Sequence, residues 1–295
     1  MTMKTPVVSF VFGSYNRRSF LKKTLESIRD NGLSFPYEII AVDGGSTDGS
    51  LRYLERQKDV ITIIQHNRGT FRGKPVEKRS WGYFMNLGFK AAQGKYICMI
   101  SDDCLLVPGS VDNGVNLFER LLSEGKKVGA MAFYWRNWPG KKDYCVGTTL
   151  GDKLFVNHGL YNRQALQEVG WCDEETYGFY HADGDLCLKL WQAGYTVVEC
   201  PDAFVEHYTH ANIKVRQQNL ERQKNDWRAY LDKWAGIFYD PAQNNKGAWH
   251  YKAYTDNTKT YARFPAANGM PAVLKTLMRQ LVTSAAQLKK RMLRH

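Results

Sequence analysis

Short apolar runs alternate with amphipathic segments in the first third of the chain, and this alternation limits the fold more than any other feature. The runs VVSFVF (7–12), YEIIAV (37–42), VITIIQH (60–66) and YICMI (96–100) are typical of buried strands. Segments such as FLKKTLESI (20–28) carry apolar residues at helical spacing between them. Strands that alternate with helices predict an α/β protein with a doubly wound, mostly parallel sheet.

The pattern changes towards the end of the chain. Residues 1–235 are expected to form one large α/β domain, and residues 236–295 a C-terminal extension. The extension opens with an aromatic stretch rich in Asn and Gly (236–269) and closes with a helix over 270–295. We therefore expect a sheet domain followed by a helical extension.

The final helix is both amphipathic and basic. Apolar residues such as Leu274 and Leu281 share one stripe, and Lys275 and Arg279 lie among the basic residues around it. A helix of this kind lies on an anionic membrane surface, or docks its stripe on the protein body or on a second subunit. Peripheral membrane attachment and a homo-oligomer both stay open. No window reaches the roughly 18 uncharged apolar residues of a membrane span.

The net charge of +12 indicates an anionic partner, such as nucleic acid, a phosphorylated small molecule or an acidic membrane. Nucleic acid is not expected, because the chain lacks a recognition motif and much of its basic excess clusters in the tail. The six cysteines show no C-x-x-C pair, so we expect reduced thiols and a cytoplasmic protein. If the tail binds lipid, the protein would lie at the inner face of a membrane.

Acidic residues recur where predicted strands end or helices begin. Asp43 ends the second strand and Asp102 and Asp103 follow the fourth, whereas Asp183 opens a later helix and His207 follows a later strand. The pair after YICMI is typical either of a solvated turn or of a ligand site at the carboxyl edge of a sheet. A shared rim of carboxylates repels itself unless a cation is bound there. These residues predict a metal-dependent enzyme that uses Mg²⁺ or Mn²⁺ and acts on a phosphorylated ligand.

Four segments resemble a known family, in the order in which that family carries them. They are VVSFVFGSYNRRSFLKKTLESI, YEIIAVDGGSTDGS, MNLGFKAAQGKYICMISDDCLLVPGSV and NHGLYNRQALQEVGWCDEETYGFYHADGDLCLKLWQAGY. Together they resemble the inverting glycosyltransferases of family 2, over roughly residues 7–210. Each motif alone is weak, but four in the family's order are specific. The resemblance implies the GT-A fold of nucleotide-diphospho-sugar transferases.

The resemblance also implies roles for individual residues on the donor side. Tyr15 and Asp43 match the residues that hold the nucleotide base, and Asp102 would lie near the ribose. Asp103 matches the carboxylate that binds the divalent ion bridging the diphosphate. His207 matches a histidine that often completes the metal site.

On the acceptor side, Asp183 matches the general base that takes the proton from the acceptor hydroxyl.

Three further kinds of residue have two possible interpretations each. On the donor side, Arg79 would contact the diphosphate, although a solvated arginine is the simpler interpretation. Trp135 and Trp138 are candidates for a sugar-stacking platform, or for core or interface packing. His158 and His181 are left outside the catalytic set, since a lone histidine is more often a hydrogen-bonded structural residue.

The chain departs from the family's usual pattern at three positions. Gly44 stands where a second nucleotide-loop Asp is common, Ser101 where many members have the first Asp of the metal motif, and Ala182 where a Glu usually precedes the base. None of the three removes Asp43, Asp103 or Asp183, so the resemblance implies an active enzyme.

The implied activity is metal-dependent transfer of a sugar, with inversion, from a nucleotide-sugar to a hydroxyl of a glycan or lipid-linked glycan. A UDP-sugar is the first expectation for the donor, and polysaccharide biosynthesis the expected process. Two alternatives stay open: a GDP- or dTDP-sugar as donor, and a nucleotide-sugar-binding protein that has lost turnover.

Overall fold

The computed structural model describes residues 5–137, 141–208, 219–242 and 247–253. Trp138 and the basic tail helix predicted over 270–295 lie outside these residues. No helix within the described ranges is long and apolar enough to cross a membrane.

An eleven-stranded sheet, a small two-stranded sheet and seven helices make up the described part of the chain. The strands are β1 (Val8–Ser14), β2 (Tyr37–Asp43), β3 (Val60–Ile64), β4 (Thr70–Phe71), β5 (Lys74–Pro75), β6 (Tyr96–Met99), β7 (Cys104–Leu106), β8 (Val128–Asn137), β9 (Tyr144–Thr148), β10 (Leu154–Phe155), β11 (Gly159–Asn162), β12 (Thr196–His207) and β13 (Trp249–Lys252). The helices are α1 (Arg18–Arg29), α2 (Ser50–Leu54), α3 (Trp81–Ala91), α4 (Ser110–Ser123), α5 (Arg163–Glu168), α6 (Ala182–Gln192) and α7 (Gln223–Trp234), with a 3₁₀ turn at Leu150–Asp152.

The main sheet has a parallel half and a mixed half, in the order β10-β9-β8-β11-β6-β1-β2-β3. Strands β3, β2, β1 and β6 run parallel, as predicted. Strand β11 is inserted antiparallel between β6 and β8, and β12 runs parallel to β8. The predicted α/β sheet is confirmed, and the carboxyl ends of β1, β2 and β6 meet at one edge.

Both faces of the parallel half are covered, which explains why its strands are almost continuously apolar. In β1, Phe10 faces the cluster that contains Leu25 of α1 and Phe118 of α4. Its neighbour Val11 faces the opposite cluster, which contains Phe89 of α3. Successive residues of a strand point to opposite faces, so a single apolar strand contributes to both core layers.

Glycine lets helix α3 approach the sheet closely. A Cβ atom at Gly88 would lie 2.5 Å from a side-chain methyl of Val11 and 3.2 Å from one of Val42. Any larger residue would therefore push α3 away from β1 and β2. This close contact helps to fix α3, which contributes residues to the cavity described below.

Two strands go beyond the sequence expectation. The apolar run YTVVEC predicts a strand that ends near Cys200, but β12 continues to His207 through a register shift between Cys200 and Phe204. The continuation cannot be predicted from the sequence, because it contains Pro201 and Asp202 and proline is rare inside strands except at bulges. Strand β13 pairs with β9, so the described part of the predicted extension joins the main sheet. The division of the chain at residue 235 stays a prediction.

Candidate active site

The carboxyl edge of the parallel strands opens into a cavity of about 470 Å³. Six of the seven residues with a predicted site role line it: Tyr15, Arg79, Asp102, Asp103, Asp183 and His207. The seventh, Asp43, is fully buried and does not line it. The cavity is therefore the place where the predicted donor, metal and base residues meet.

Arg17 explains how two adjacent aspartates can be buried in the turn after β6. Its Nη1 atom donates to Asp102 Oδ1 at 2.7 Å and to Asp103 Oδ2 at 2.9 Å. Both carboxylate side chains are only 2% exposed. The sequence reasoning did not single out Arg17, although it follows the Tyr-Asn turn at the end of the first strand.

The two carboxylates differ in acidity. Burial raises the pKa of Asp102, and the Arg17 charge only partly opposes this rise. Burial also opposes ionisation of Asp103, but Arg17, His207 and Ser101 together outweigh it and hold the pKa of Asp103 well below its ordinary value. Asp103 is therefore the permanent negative charge of the pair.

Two buried oxygens beside this pair, Asp102 Oδ2 and Ser14 Oγ, form no hydrogen bond of good geometry within the described ranges, although the Ser14 hydroxyl lies close enough to Asp102 to lower its pKa. Buried polar atoms are nearly always paired, because leaving one unpaired costs about 1–3 kcal/mol. Since both residues line the cavity, they mark a position where a ligand hydroxyl or a cation would gain most.

His207 lies beside Asp103 because β12 pairs with β7, which places His207 opposite Cys104. Its Nε2 is 3.4 Å from Asp103 Oδ1, and its Nδ1 is 3.1 Å from Asn137 Oδ1. If Nδ1 donates to Asn137 Oδ1, the Nε2 atom would be available to bind a cation together with Asp103, in place of its own contact with that carboxylate. An oxygen and a nitrogen ligand side by side fit a divalent cation.

A second group of metal-ligating atoms overlaps this position. The ligand atoms of Cys104, His158 and His207 all lie within 4.8 Å of one another. Burial raises the pKa of Cys104 well above its ordinary value and lowers that of His158 well below. A neutral imidazole is a competent ligand, whereas a thiol must first lose its proton. No spacing rule could reveal this group, since its members come from three separate parts of the chain.

A cationic wall lies on the Tyr15 side of the cavity. The Arg68 guanidinium lies 5.5 Å from the centre of the Tyr15 ring. Arg68 and Lys78 both donate to Asn219 Oδ1, each at 3.3 Å. Burial lowers the pKa of Lys78 to about 8, and the nearby charges of Arg68 and Arg222 lower it further in the same direction. This concentration of positive charge suits an anionic ligand.

Arg79 lies at the outer part of the same wall. Its side chain is 48% exposed and forms an ion pair with Glu77 at 2.9 Å. Its guanidinium also lies 5.4 Å from the centre of the Tyr83 ring. Contact of Arg79 with a diphosphate stays a prediction, and Arg68 and Lys78 are more deeply placed cations that sequence reasoning missed.

Asp43 shapes the loop next to Tyr15. Its Oδ1 accepts from the backbone N–H groups of Gly45 and Ser46 at 2.9 and 2.7 Å, and its Oδ2 accepts from Ser46 Oγ at 2.8 Å. Gly45 has φ +87°, and a Cβ there would lie 2.4 Å from His66 Nδ1. The predicted contact of Asp43 with a nucleotide base is not tested by this arrangement.

Asp183 lies in the first turn of α6 and reaches the cavity from the side of β10. Its Oδ1 accepts from the Gly184 N–H at 2.9 Å, and its Oδ2 accepts from Asn157 Nδ2 at 3.4 Å. Burial raises the pKa of Asp183 despite these donors. A carboxylate held in this way has the properties of a general base.

Helix α7 holds the loop in front of Asp183. The Asp226 carboxylate accepts from the three backbone N–H groups of residues 178–180, each at 2.9 Å. The ring of His181, a residue with φ +68°, stacks on Tyr230 with centroids 5.2 Å apart. Nothing in the sequence pattern of α7 indicated this contact.

Comparison with known proteins agrees with the fold. Residues 9–145 match the family described as glycosyl transferase family 2. The uncharacterized protein y4gI of Sinorhizobium fredii is 24% identical over 279 residues, which cover 81% of this chain and 29% of that protein. An uncharacterized glycosyltransferase of Rickettsia bellii is 26% identical over 119 residues, 39% of this chain and 16% of that protein.

A third relative is matched over more of its own length. The dolichyl N-acetyl-alpha-D-glucosaminyl phosphate 3-beta-D-2,3-diacetamido-2,3-dideoxy-beta-D-glucuronosyltransferase of Methanococcus voltae is 21% identical over 229 residues, 70% of this chain and 68% of that protein. The chain thus spans less than a third of the first two relatives and about two thirds of the third.

Two solved structures share the fold. A mannosyltransferase from Pyrobaculum calidifontis, in complex with GDP-Man and Mn²⁺, has a TM-score of 0.54 at 17% identity over 78% of this chain and 65% of that chain. S. aureus TarS 1-349, in complex with UDP-GlcNAc, has a TM-score of 0.53 at 15% identity over 76% and 66%. These similarities confirm the predicted GT-A fold. The chain therefore matches glycosyl transferase family 2 over residues 9–145, a little under half of its length, and shares the fold of these transferases.

Proposed function

We propose that the protein is a metal-dependent inverting glycosyltransferase. It transfers a sugar from a nucleotide-sugar, a UDP-sugar in the first instance, to a hydroxyl of a glycan or lipid-linked glycan. One observation carries the proposal: a single cavity is lined by the Asp103–His207 pair and by Asp183, a carboxylate whose pKa is raised by burial.

In the proposed reaction, Asp183 takes the proton of the acceptor hydroxyl. The hydroxyl oxygen then attacks the anomeric carbon of the donor sugar from the face opposite the leaving group. The new glycosidic bond forms as the bond to the nucleoside diphosphate breaks, so the configuration inverts. The raised pKa of Asp183 makes it a stronger base than an exposed aspartate.

Asp103 and His207 are the residues that would hold the divalent ion, Mn²⁺ or Mg²⁺. When bound, such an ion stabilises the negative charge that develops on the departing diphosphate. Arg68 and Lys78 would add fixed positive charge on the Tyr15 side, where the nucleotide is proposed to lie.

The identity of the nucleotide follows from no single residue. One structural neighbour is bound to UDP-GlcNAc, and another to GDP-Man and Mn²⁺. We place UDP first and keep GDP and dTDP as alternatives. The second alternative, a nucleotide-sugar-binding protein without turnover, is less well supported because Asp183 and its surroundings are those of a base.

The Methanococcus voltae relative supports a lipid-linked acceptor, since its name specifies transfer to a dolichyl-phosphate-linked sugar. By extension, we propose a role in polysaccharide biosynthesis. A cytoplasmic location is proposed from the expected reduced thiols, and attachment to an anionic membrane or a homo-oligomer from the predicted tail helix. That helix lies outside the described residues.

Calorimetric titration with UDP, with and without Mn²⁺, tests the proposal, and GDP is the parallel ligand. We expect UDP to bind in a Mn²⁺-dependent manner and Asp103→Asn to lose that dependence. Asp202→Asn, a matched change at a side chain 76% exposed, should leave it intact. Binding of GDP alone would change the donor, and the absence of binding by any nucleotide would contradict the proposal.

A further inference from the structure

One face of the mixed half of the sheet is aromatic. We define the aromatic face by Trp135 of β8, Phe155 of β10, and Trp249 and Tyr251 of β13. In strand β9, Cys145 lies opposite Trp135 and Tyr251, and Gly147 lies opposite Phe155 and Trp249. Residues opposite one another in antiparallel strands project from the same face, so these side chains share one side of the sheet.

The aromatic rings contact one another above Gly147, which has no side chain. The ring centroid of Trp249 is 5.9 Å from that of Trp135 and 6.3 Å from that of Phe155. A Cβ at Gly147 would lie 2.9 Å from the Trp249 ring and 2.7 Å from the Phe155 ring, so the glycine lets both rings lie against the backbone. Trp249 is nevertheless 45% exposed and Tyr251 65% exposed.

The aromatic face is continuous with the cavity in two places. Trp135 lines the cavity, and its ring centroid is 5.7 Å from that of His207. Phe155 is two residues before Asn157, which also lines the cavity and donates to Asp183. The face therefore extends from the outer edge of the sheet to the side of the cavity where the proposed metal ligand and base are found.

We propose that the aromatic face binds an oligosaccharide acceptor, with its terminal sugar at Asp183 and the following sugars stacked on Trp249 and Tyr251. The inference rests on the proposed function. Sugar rings present apolar C–H faces, which pack on the negative face of aromatic rings. The four described side chains that define the aromatic face are all uncharged, whereas Arg68 and Lys78 lie on the Tyr15 side. Phosphates therefore suit the Tyr15 side, and neutral sugars suit the aromatic face.

The test uses reducing-end-labelled oligosaccharides, from monosaccharide to hexasaccharide, built from glucose, galactose, mannose and N-acetylglucosamine. Binding is measured by fluorescence polarisation in the presence of UDP and Mn²⁺. We expect at least one series to bind more tightly as the chain lengthens. Trp249→Ala and Tyr251→Ala should each weaken the longer chains about fivefold to tenfold. Trp249→Phe, which keeps an aromatic ring, should lose much less.

The matched control is Tyr37→Ala, because Tyr37 is a 37%-exposed tyrosine on β2, in the other half of the sheet. UDP titration of every variant separates the two proposals. If UDP binds but no oligosaccharide does, or if the gain with chain length survives both alanine variants, the inference is wrong and the proposed function stands. If Tyr251→Ala instead abolishes binding to anionic lipid vesicles and leaves oligosaccharides unaffected, the occupant is a lipid and the inference is also wrong.

Discussion

Arg17 stabilises the buried Asp102–Asp103 pair by supplying a positive charge in contact with both carboxylates. A single guanidinium nitrogen contacts both carboxylates, and the Arg17 side chain is itself only 19% exposed. Two buried like charges repel strongly unless a cation is present. In the absence of a bound metal, Arg17 is the fixed cation that contacts both carboxylates.

Arg17→Gln should therefore destabilise the metal-free protein. Loss of one partner from a buried charge cluster costs about 3–5 kcal/mol, because the remaining charges are uncompensated. Mn²⁺ should restore more stability to this variant than to the wild type, since the ion replaces the missing positive charge. Thermal unfolding with and without Mn²⁺ measures both effects.

The neighbouring residue provides the control. Arg18 is exposed, so Arg18→Gln should change the unfolding free energy by less than about 0.5 kcal/mol and respond to Mn²⁺ like the wild type. Equal losses of stability in the two variants, or no added benefit from Mn²⁺ in Arg17→Gln, would contradict this role of Arg17.

Lys78 should make nucleotide binding depend on pH in the alkaline range. Burial and the charges of Arg68 and Arg222 lower the pKa of Lys78 to about 8, so it is charged below that pH and neutral above it. UDP binding should therefore weaken about threefold to tenfold between pH 7 and pH 9, as a charge-assisted contact is lost. Calorimetry at the two pH values measures the change.

Lys78→Met removes the titrating group and leaves the ionisation of UDP itself unchanged. In this variant UDP should bind more weakly at pH 7, and the additional loss at pH 9 should disappear. If wild type and Lys78→Met lose the same factor between the two pH values, Lys78 does not contact the anion.

The site carboxylates could be predicted from the sequence, but most of the side chains that contact them could not, because these come from distant parts of the chain. Asp102 and Asp103 come shortly after an apolar strand, which can be recognised in the sequence. Arg17 and His158 reach the same place from distant turns, through the pairing of strands and the packing of loops. Only the three-dimensional register brings them together.

At the level of elements, helix α7 holds the base-bearing part of the cavity in place. Asp226 accepts three backbone N–H groups from residues 178–180, which line the cavity. Further along the helix, Trp234 Nε1 donates to Asp185 at 2.9 Å. α7 therefore contacts both the loop before Asp183 and the helix that carries it.

Asp226→Asn should separate positioning from binding. Asparagine keeps only one acceptor oxygen and turns an N–H donor towards backbone N–H groups, so the loop should loosen at a cost of about 1–3 kcal/mol. We expect kcat to fall about tenfold or more, since small displacements of a base are costly, while UDP binding stays near the wild-type value. Steady-state kinetics and calorimetry give the two readouts.

Asp232→Asn is the matched control, because Asp232 is an exposed aspartate on the same helix. It should leave kcat unchanged. Equal effects of the two substitutions, or a parallel loss of UDP binding in Asp226→Asn, would show that α7 acts on stability in general and not on the loop before the base.

The elements also show where sequence patterns stop being informative. The parallel strands β1, β2, β3 and β6 were predictable, because each is an apolar run bounded by polar turns. The second half of β12 was not, because Pro201 and Asp202 interrupt its apolar pattern at the bulge. Yet this half carries His207 to Asp103, so an irregular strand supplies a predicted metal ligand.

For the molecule as a whole, the cavity has distinct sides. Arg68 and Lys78 bring positive charge beside Tyr15, the Asp103–His207 pair offers metal ligands, and Asp183 reaches in from α6 near the aromatic face. Under the proposed function, the nucleotide, the ion and the reacting end of the acceptor would each contact a different side of this cavity of about 470 Å³. It is the arrangement expected of a transferase that must exclude water and choose between two substrates.

We propose that Asp183 acts as the base in transfer from a nucleotide-sugar. The most direct measurement is nucleoside diphosphate release from a panel of UDP-, GDP- and dTDP-sugars with Mn²⁺, by wild type and by Asp183→Asn, alongside donor binding to both. We predict that the variant binds the preferred donor as the wild type does but turns it over about 10²–10⁴-fold more slowly. Turnover by Asp183→Asn at the wild-type rate would contradict the account.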